Sequence, residues 1–267
     1  MQIRNAGAAR LAGVAAGVVS ISSMTAVARA EFTPFEVWIS DGTSTVGRVD
    51  VRNGAVLQTF QIPGGTDFTD IAFDPSGTMY GISTSRLYRV DTATGAVTNI
   101  NDYGPTGLEA LVFGADGTLY GASGANGNLY RITIGPNNQV TSTLIFDMGY
   151  TAAGDLAFSG SNLYMTTEDN LLVQVDPVAR SAQPVGALGV SEVLGLATSN
   201  NGITYAMAGT TIYSVDLSSG ALTAVSTYSS STLGTAWGGA FVCEATPAPG
   251  ALALLALGGI ACGRRRR

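Results

Sequence analysis

The residues best placed to do chemistry in this chain are four acids, Asp70, Glu109, Asp155 and Glu192. Carboxylates gathered from separate segments can do two things. A pair flanking one cavity can act as general acid and base, as in glycoside hydrolysis, and several sharing one site can hold Ca²⁺ through hard oxygen ligands. Most other catalytic equipment is missing, because the chain has no histidine and its thirteen basic residues are all arginines. Without histidine there are no Ser-His or Cys-His nucleophile pairs, no histidine metal ligands and no histidine general base. Without lysine, Schiff bases and Ser-Lys pairs are also excluded. The bland alternative is that Asp70 and Asp155 cap turns or face solvent. The residue inventory thus predicts a protein that is not an enzyme and has no resident cofactor, Ca²⁺ being the one ion its acids suit.

What would bring these acids together is a repeat. The stretch from Asp70 to Ile100 reads as four short apolar runs separated by turn residues: Ile71–Phe73, Met79–Ile82, Leu87–Val90 and Ala96–Thr98. Period-two alternation between Gly-, Pro- and Asp-rich turns is the signature of an antiparallel meander. A tyrosine phrase recurs at Tyr80, Tyr120, Tyr164 and Tyr205, and a third-strand phrase ends at Asp50, Asp91, Thr133, Asp176 and Asp216 in steps of 41, 42, 43 and 40 residues. Four strands every 40 to 45 residues is the period of a β-propeller blade, and five phrases predict five blades. The first unit lacks its innermost strand. Ala236–Val242 carries that pattern near the other end of the chain, so it is predicted to pair beside Phe35–Ser40 and close the ring.

On this alignment Asp70, Ala110, Asp155, Gly195 and Gly238 share one position at the start of the innermost strands, which places the four acids near one mouth of the central channel. The recurring aspartates Asp50, Asp91, Asp176 and Asp216 precede hairpin turns and read as turn formers that accept backbone N–H bonds. The recurring tyrosines read as core, and Trp38 and Trp237 as core or closure residues.

Forty-six per cent of the chain is apolar, 12% is charged and 35 residues are glycine, as suits a β-rich, turn-rich domain. Residues 1–30 have the form of a secretory leader: Arg4 and Arg10, an apolar run from Leu11 to Ile21, and a small-x-small cleavage site ending at Ala30. This predicts processing by signal peptidase. Residues 31–245 then form the propeller domain, whose six arginines against nineteen acids give a charge near −13. Such a surface repels polyanions, so no nucleic-acid partner is expected, and divalent cations are more natural ones. The two cysteines, Cys243 and Cys262, fall on either side of the domain boundary and do not suggest a disulfide framework.

Residues 246–267 differ in composition. Pro247-Ala248-Pro249 is followed by fourteen uncharged residues, Gly250 to Gly263, and then Arg264, Arg265, Arg266 and Arg267. As a helix of about 1.5 Å per residue the run spans roughly 21 Å, a short membrane anchor against a hydrocarbon core of about 30 Å. Snorkelling arginines retained on the cytoplasmic side would make up part of the difference.

This order of parts resembles the C-terminal signal of the PEP-CTERM class of exported bacterial proteins, with Ala248 where that class usually has glutamate. The resemblance implies a helical tail held in the membrane until an exosortase-like protease acts on it. Pro247 and Pro249 would mark the processing region and Arg264 to Arg267 the retention signal, with delivery to the cell surface or extracellular matrix. The expectation is therefore an all-β, five-bladed propeller between a helical leader and a helical tail. It would be a surface interaction module with an unidentified extracellular ligand. A carbohydrate-active hydrolase using the channel-mouth acids and a Ca²⁺-stabilised scaffold are the alternatives.

Overall fold

The computed structural model describes residues 33–102, 104 and 107–242. The expected leader 1–30, the tail 246–267 and both cysteines lie outside them. Among the described residues no helix is long and apolar enough to cross a membrane.

Among the described residues, twenty strands form five four-stranded antiparallel sheets. The second blade is β4 (Asp70–Phe73), β5 (Met79–Ile82), β6 (Arg86–Val90) and β7 (Val97–Asp102), and the third is β8 (Leu108–Phe113), β9 (Leu119–Ser123), β10 (Asn128–Ile134) and β11 (Val140–Asp147). The fourth holds β12 (Ala152–Ser159), β13 (Asn162–Thr167), β14 (Leu171–Asp176) and β15 (Ser181–Ala187), and the fifth β16 (Val193–Thr198), β17 (Thr204–Ala208), β18 (Thr211–Val215) and β19 (Leu222–Thr227). The first blade is composite. β1 (Glu36–Asp41), β2 (Thr45–Asp50) and β3 (Ala55–Gln61) receive their innermost strand from β20 (Ala236–Phe241), in the order β20-β1-β2-β3. Val37 pairs with Phe241 and Trp38 with Ala240. This is the closure the incomplete first repeat predicts: pairing β20 with β1 removes the bare edges that would otherwise invite association.

Burial grades outward from the channel. β4 is buried throughout, whereas outermost β3 alternates exposed and half-buried residues. Neighbouring blades pack through the recurring aromatics. The second-strand ring of one blade meets a phenylalanine of the next blade's innermost strand in Trp38–Phe73, Tyr80–Phe113, Tyr120–Phe158 and Tyr205–Phe241, with centroids 6.3, 5.1, 5.8 and 5.7 Å apart. Each such pair contributes about 0.5–1.5 kcal/mol beyond its area. Between the fourth and fifth blades the phenylalanine is replaced by Thr198, whose hydroxyl is 2.8 Å from that of Thr204. The tyrosines and Trp38 are thus packing residues.

The recurring aspartates form turns. Asp50, Asp91, Asp176 and Asp216 each accept a backbone N–H two residues on, from Arg52, Ala93, Val178 and Ser218. Gly54, Gly95 and Gly220 then take the left-handed conformation needed to re-enter the sheet, and Arg180 does so in the fourth blade at φ +56°.

Candidate functional site

The five innermost strands each aim one backbone N–H at the channel axis, at Ile71, Leu111, Leu156, Leu196 and Gly239. Two carboxyl groups accept all five. Asp70 takes the N–H of Ile71 on Oδ1 (2.7 Å) and that of Leu111 on Oδ2 (2.6 Å). Asp155 takes Leu156 on Oδ1 (2.7 Å) and both Leu196 (2.7 Å) and Gly239 (2.9 Å) on Oδ2. Both aspartates are wholly buried. Burial first, and then the charge of Asp70, push the Asp155 carboxyl well above the usual carboxylate range, and the two side chains are hydrogen-bonded to each other. The pair closes the channel with a knot joining all five blades. The small residues at the aligned positions make this possible, since a Cβ on Gly238 would run into Oδ1 of Asp70.

The position one residue nearer the strand starts behaves differently. There Thr69, Glu109, Gly154, Leu194 and Trp237, one from each blade, line a cavity of about 190 Å³ together with Ala153. Four of the five innermost strands bulge here. The register jumps between Leu108 and Ala110, between Ala152 and Leu156, between Val193 and Gly195, and opposite Ser40/Asp41 in the pairing to β20. Glu109, Leu194 and Trp237 are therefore extra residues opposite the partner strand, and bulges of this kind re-aim side chains. The Trp237 indole lies against Gly42, where any Cβ would meet it, and the Glu109 carboxylate lies over Gly124. Thr69 already donates its hydroxyl to the carbonyls of Ile82 and Leu108. Burial raises the Glu109 pKa, and the neighbouring Glu168 charge adds to the shift.

The four acids singled out in the sequence thus separate. Asp70 and Asp155 come together, but beneath the cavity and out of reach of solvent. Glu109 lines the cavity. Glu192 is exposed on the loop before β16, its backbone left-handed at φ +55° and its N–H donated to Asn170. Trp237 is a correction to the core assignment: it sits on the closing strand, yet the bulge turns it to the mouth. Glu168, on the β13–β14 hairpin, is a second correction, because no repeat phrase singles it out. Among the described residues no three acids or cysteines gather as a group able to hold a metal ion.

Charge is distributed unevenly between the two ends of the ring. The hairpins and connections at the mouth end carry Asp41, Asp67, Asp102, Glu109, Asp147, Glu168, Asp169 and Glu192, and the one arginine among the described residues there, Arg86, is paired with Asp102 at 3.0 Å. The remaining described arginines lie in mid-strand or at the far end, Arg48 on Glu36 and Arg52 on Asp50. A larger hollow of about 510 Å³ at the far end, between the second and third blades, mixes Asp74 and Asp116 with Arg131.

Residues 1–115 match a family described as "Repeat of unknown function (DUF6923)". No curated protein matches the chain. Among solved structures, a chain from a nidogen/laminin complex is similar over 77% of this chain and 97% of its own length, at TM-score 0.54 and 12% identity. Hydrazine synthase of Kuenenia stuttgartiensis is similar at TM-score 0.44 and 16% identity over 61% of this chain, which spans 49% of that one. Virginiamycin B lyase of Staphylococcus aureus is similar at TM-score 0.42 and 14% identity, over 71% of this chain and 65% of its own. At these identities the likeness is one of fold.

Proposed function

We propose that this protein is an exported, non-enzymatic interaction module that binds a ligand at the channel mouth. The observation that carries the reading is the mouth cavity itself: each blade contributes a residue to it, set above a floor whose five converging N–H groups are all accepted by Asp70 and Asp155. A pocket built this way presents an indole and an unoccupied carboxylate to solvent, while the acids beneath it are committed to the backbone. The hydrolytic alternative needs an acid and a base facing one cavity. Of the four acids first considered, Glu109 alone lines this one. A propeller-like chain within a nidogen/laminin complex supports a role in protein–protein contact, by likeness of fold.

The destination remains as the resemblance implies. Signal peptidase would remove residues 1–30, and an exosortase-like enzyme would act near Pro247 and Pro249 to release the domain to the cell surface or matrix. Intact-mass measurement of surface-extracted protein tests this. Masses starting at Glu31 and ending near Thr246 are expected, and a mass retaining Arg264–Arg267 would overturn tail processing. The binding reading is tested on a peptide and glycan array probed with the protein and with Trp237→Ala. Ligands lost by the variant are expected, and binding that survives the substitution would move the site away from the mouth.

A further inference from the structure

The charge of the mouth cavity is one-sided. No hydrogen-bond donor among the described residues reaches the Glu109 carboxylate, and the Thr69 hydroxyl is already spent on two carbonyls. The Trp237 indole N–H can serve one ligand acceptor, but an anionic ligand would meet the Glu109 charge with no cation in the lining to offset it. A cationic donor is suited, and among protein side chains the ammonium and guanidinium groups are donors without acceptors. The field points the same way. Glu168 adds a second negative charge beside Glu109, and the acids at this end face, among the described residues, a single, already paired arginine. Apolar walls around such a cleft concentrate the potential at the opening. The Trp237 indole, propped on Gly42, offers a π-face to a cation or its aliphatic stem. About 190 Å³ accommodates one long side chain, not a secondary-structure element.

Building on the mouth as binding site, we infer that it receives a lysine or arginine side chain of a partner polypeptide, the charged head on Glu109 and the stem between Trp237 and Leu194. The opposing bulges of β8 and β20 place anion and indole around one opening, as a basic side chain entering along the channel axis requires.

The test uses protein labelled with 5-fluorotryptophan and fluorine NMR, in which the Trp237 resonance is identified by its loss in Trp237→Phe and Trp38 serves as the internal control. Acetyl-Gly-Lys-Gly-amide and its arginine counterpart are titrated beside peptides carrying norleucine and citrulline. The basic peptides are expected to move Trp237 and to bind at least about tenfold tighter than the neutral ones. The preference should shrink as salt is raised. Glu109→Gln should remove most of it while leaving the urea midpoint in place. Equal affinity for basic and neutral peptides, or a basic preference that survives Glu109→Gln, overturns the inference. Neutral peptides or array-selected glycans shifting Trp237 in preference to basic ones would leave the mouth as the site and refute only the ligand class. A Trp237 resonance unmoved by every probe, array ligands included, would overturn both.

Discussion

The floor at Asp70 and Asp155 and the rim one residue above it line the same channel, yet a carboxylate has opposite fates in them. On the floor the N–H groups of the five innermost strands converge, and two buried carboxyls are consumed in satisfying them. On the rim the bulges break the register and re-aim side chains inward, and among the described residues no donor reaches Glu109. The lesson is that burial alone does not mark a functional acid in a propeller. The number of backbone donors already claiming it does: the more there are, the more it serves the fold and the less it serves a ligand.

This contrast can be broken most directly at the floor. Asp155→Ala orphans three buried N–H groups and Asp70→Ala two. Both are expected to destabilise the domain by about 3–5 kcal/mol, Asp155→Ala the more, read from urea midpoints. A loss below about 1 kcal/mol in either would show that water replaces the carboxyl and that the knot is dispensable. Next in size is Gly238→Ala, whose new methyl meets the Asp70 carboxylate and should cost about 1–3 kcal/mol by overpacking; unchanged stability would mean that the floor has slack.

The pH profile sharpens the comparison further. Asp155 is shifted up, so the folded state keeps a proton that the unfolded chain releases above about pH 3.9. Its contribution is full below that pH and is lost as pH rises toward the folded value, by up to about 1.4 kcal/mol per pH unit. Asp50, Asp91, Asp116 and Asp216 are held low, chiefly by hydrogen bonds from the Arg52 side chain, the Ala93 N–H, the Thr118 N–H and the Ser218 hydroxyl. Their contribution is present above about pH 3.9 and lost on acidification. The urea midpoint should therefore peak in mild acid, near pH 4–5, and fall toward pH 8. Asp155→Asn should flatten the neutral limb. A midpoint that rises from pH 5 to 8 would show the Asp155 proton to be absent. The smallest effect is expected at the rim, where Glu109→Gln and Trp237→Phe should change stability by no more than about 0.5 kcal/mol, as for surface positions.

Much of the fold was legible because the repeat states it five times. The predicted strands of the second blade agree with β4 to β7 within a few residues at their ends, the third-strand phrases fall on β2, β6, β10, β14 and β18, and Ala236–Val242 pairs where the missing strand requires. The site was only half legible. Aligning Asp70, Ala110, Asp155, Gly195 and Gly238 identified the floor, but not that two acids would serve five amides, since that depends on backbone direction at the axis. A bulge leaves no trace in a single alternation pattern, so Trp237 read as a core or closure residue; it is on the closing strand, but faces the mouth. Glu168 reaches the Glu109 neighbourhood through the β13–β14 hairpin, where no recurring phrase marks it. The expected leader 1–30 and tail 246–267 lie outside the described residues.

The closing strand has a consequence for when the mouth exists at all. Trp237 and the Gly239 amide both arrive on β20, paired with a strand about 200 residues earlier in the chain. A wheel that has not shut lacks the indole of its rim and the last donor of its floor together. If the mouth binds a partner as proposed, that recognition is reserved for finished molecules, a form of proofreading written into the order of the strands.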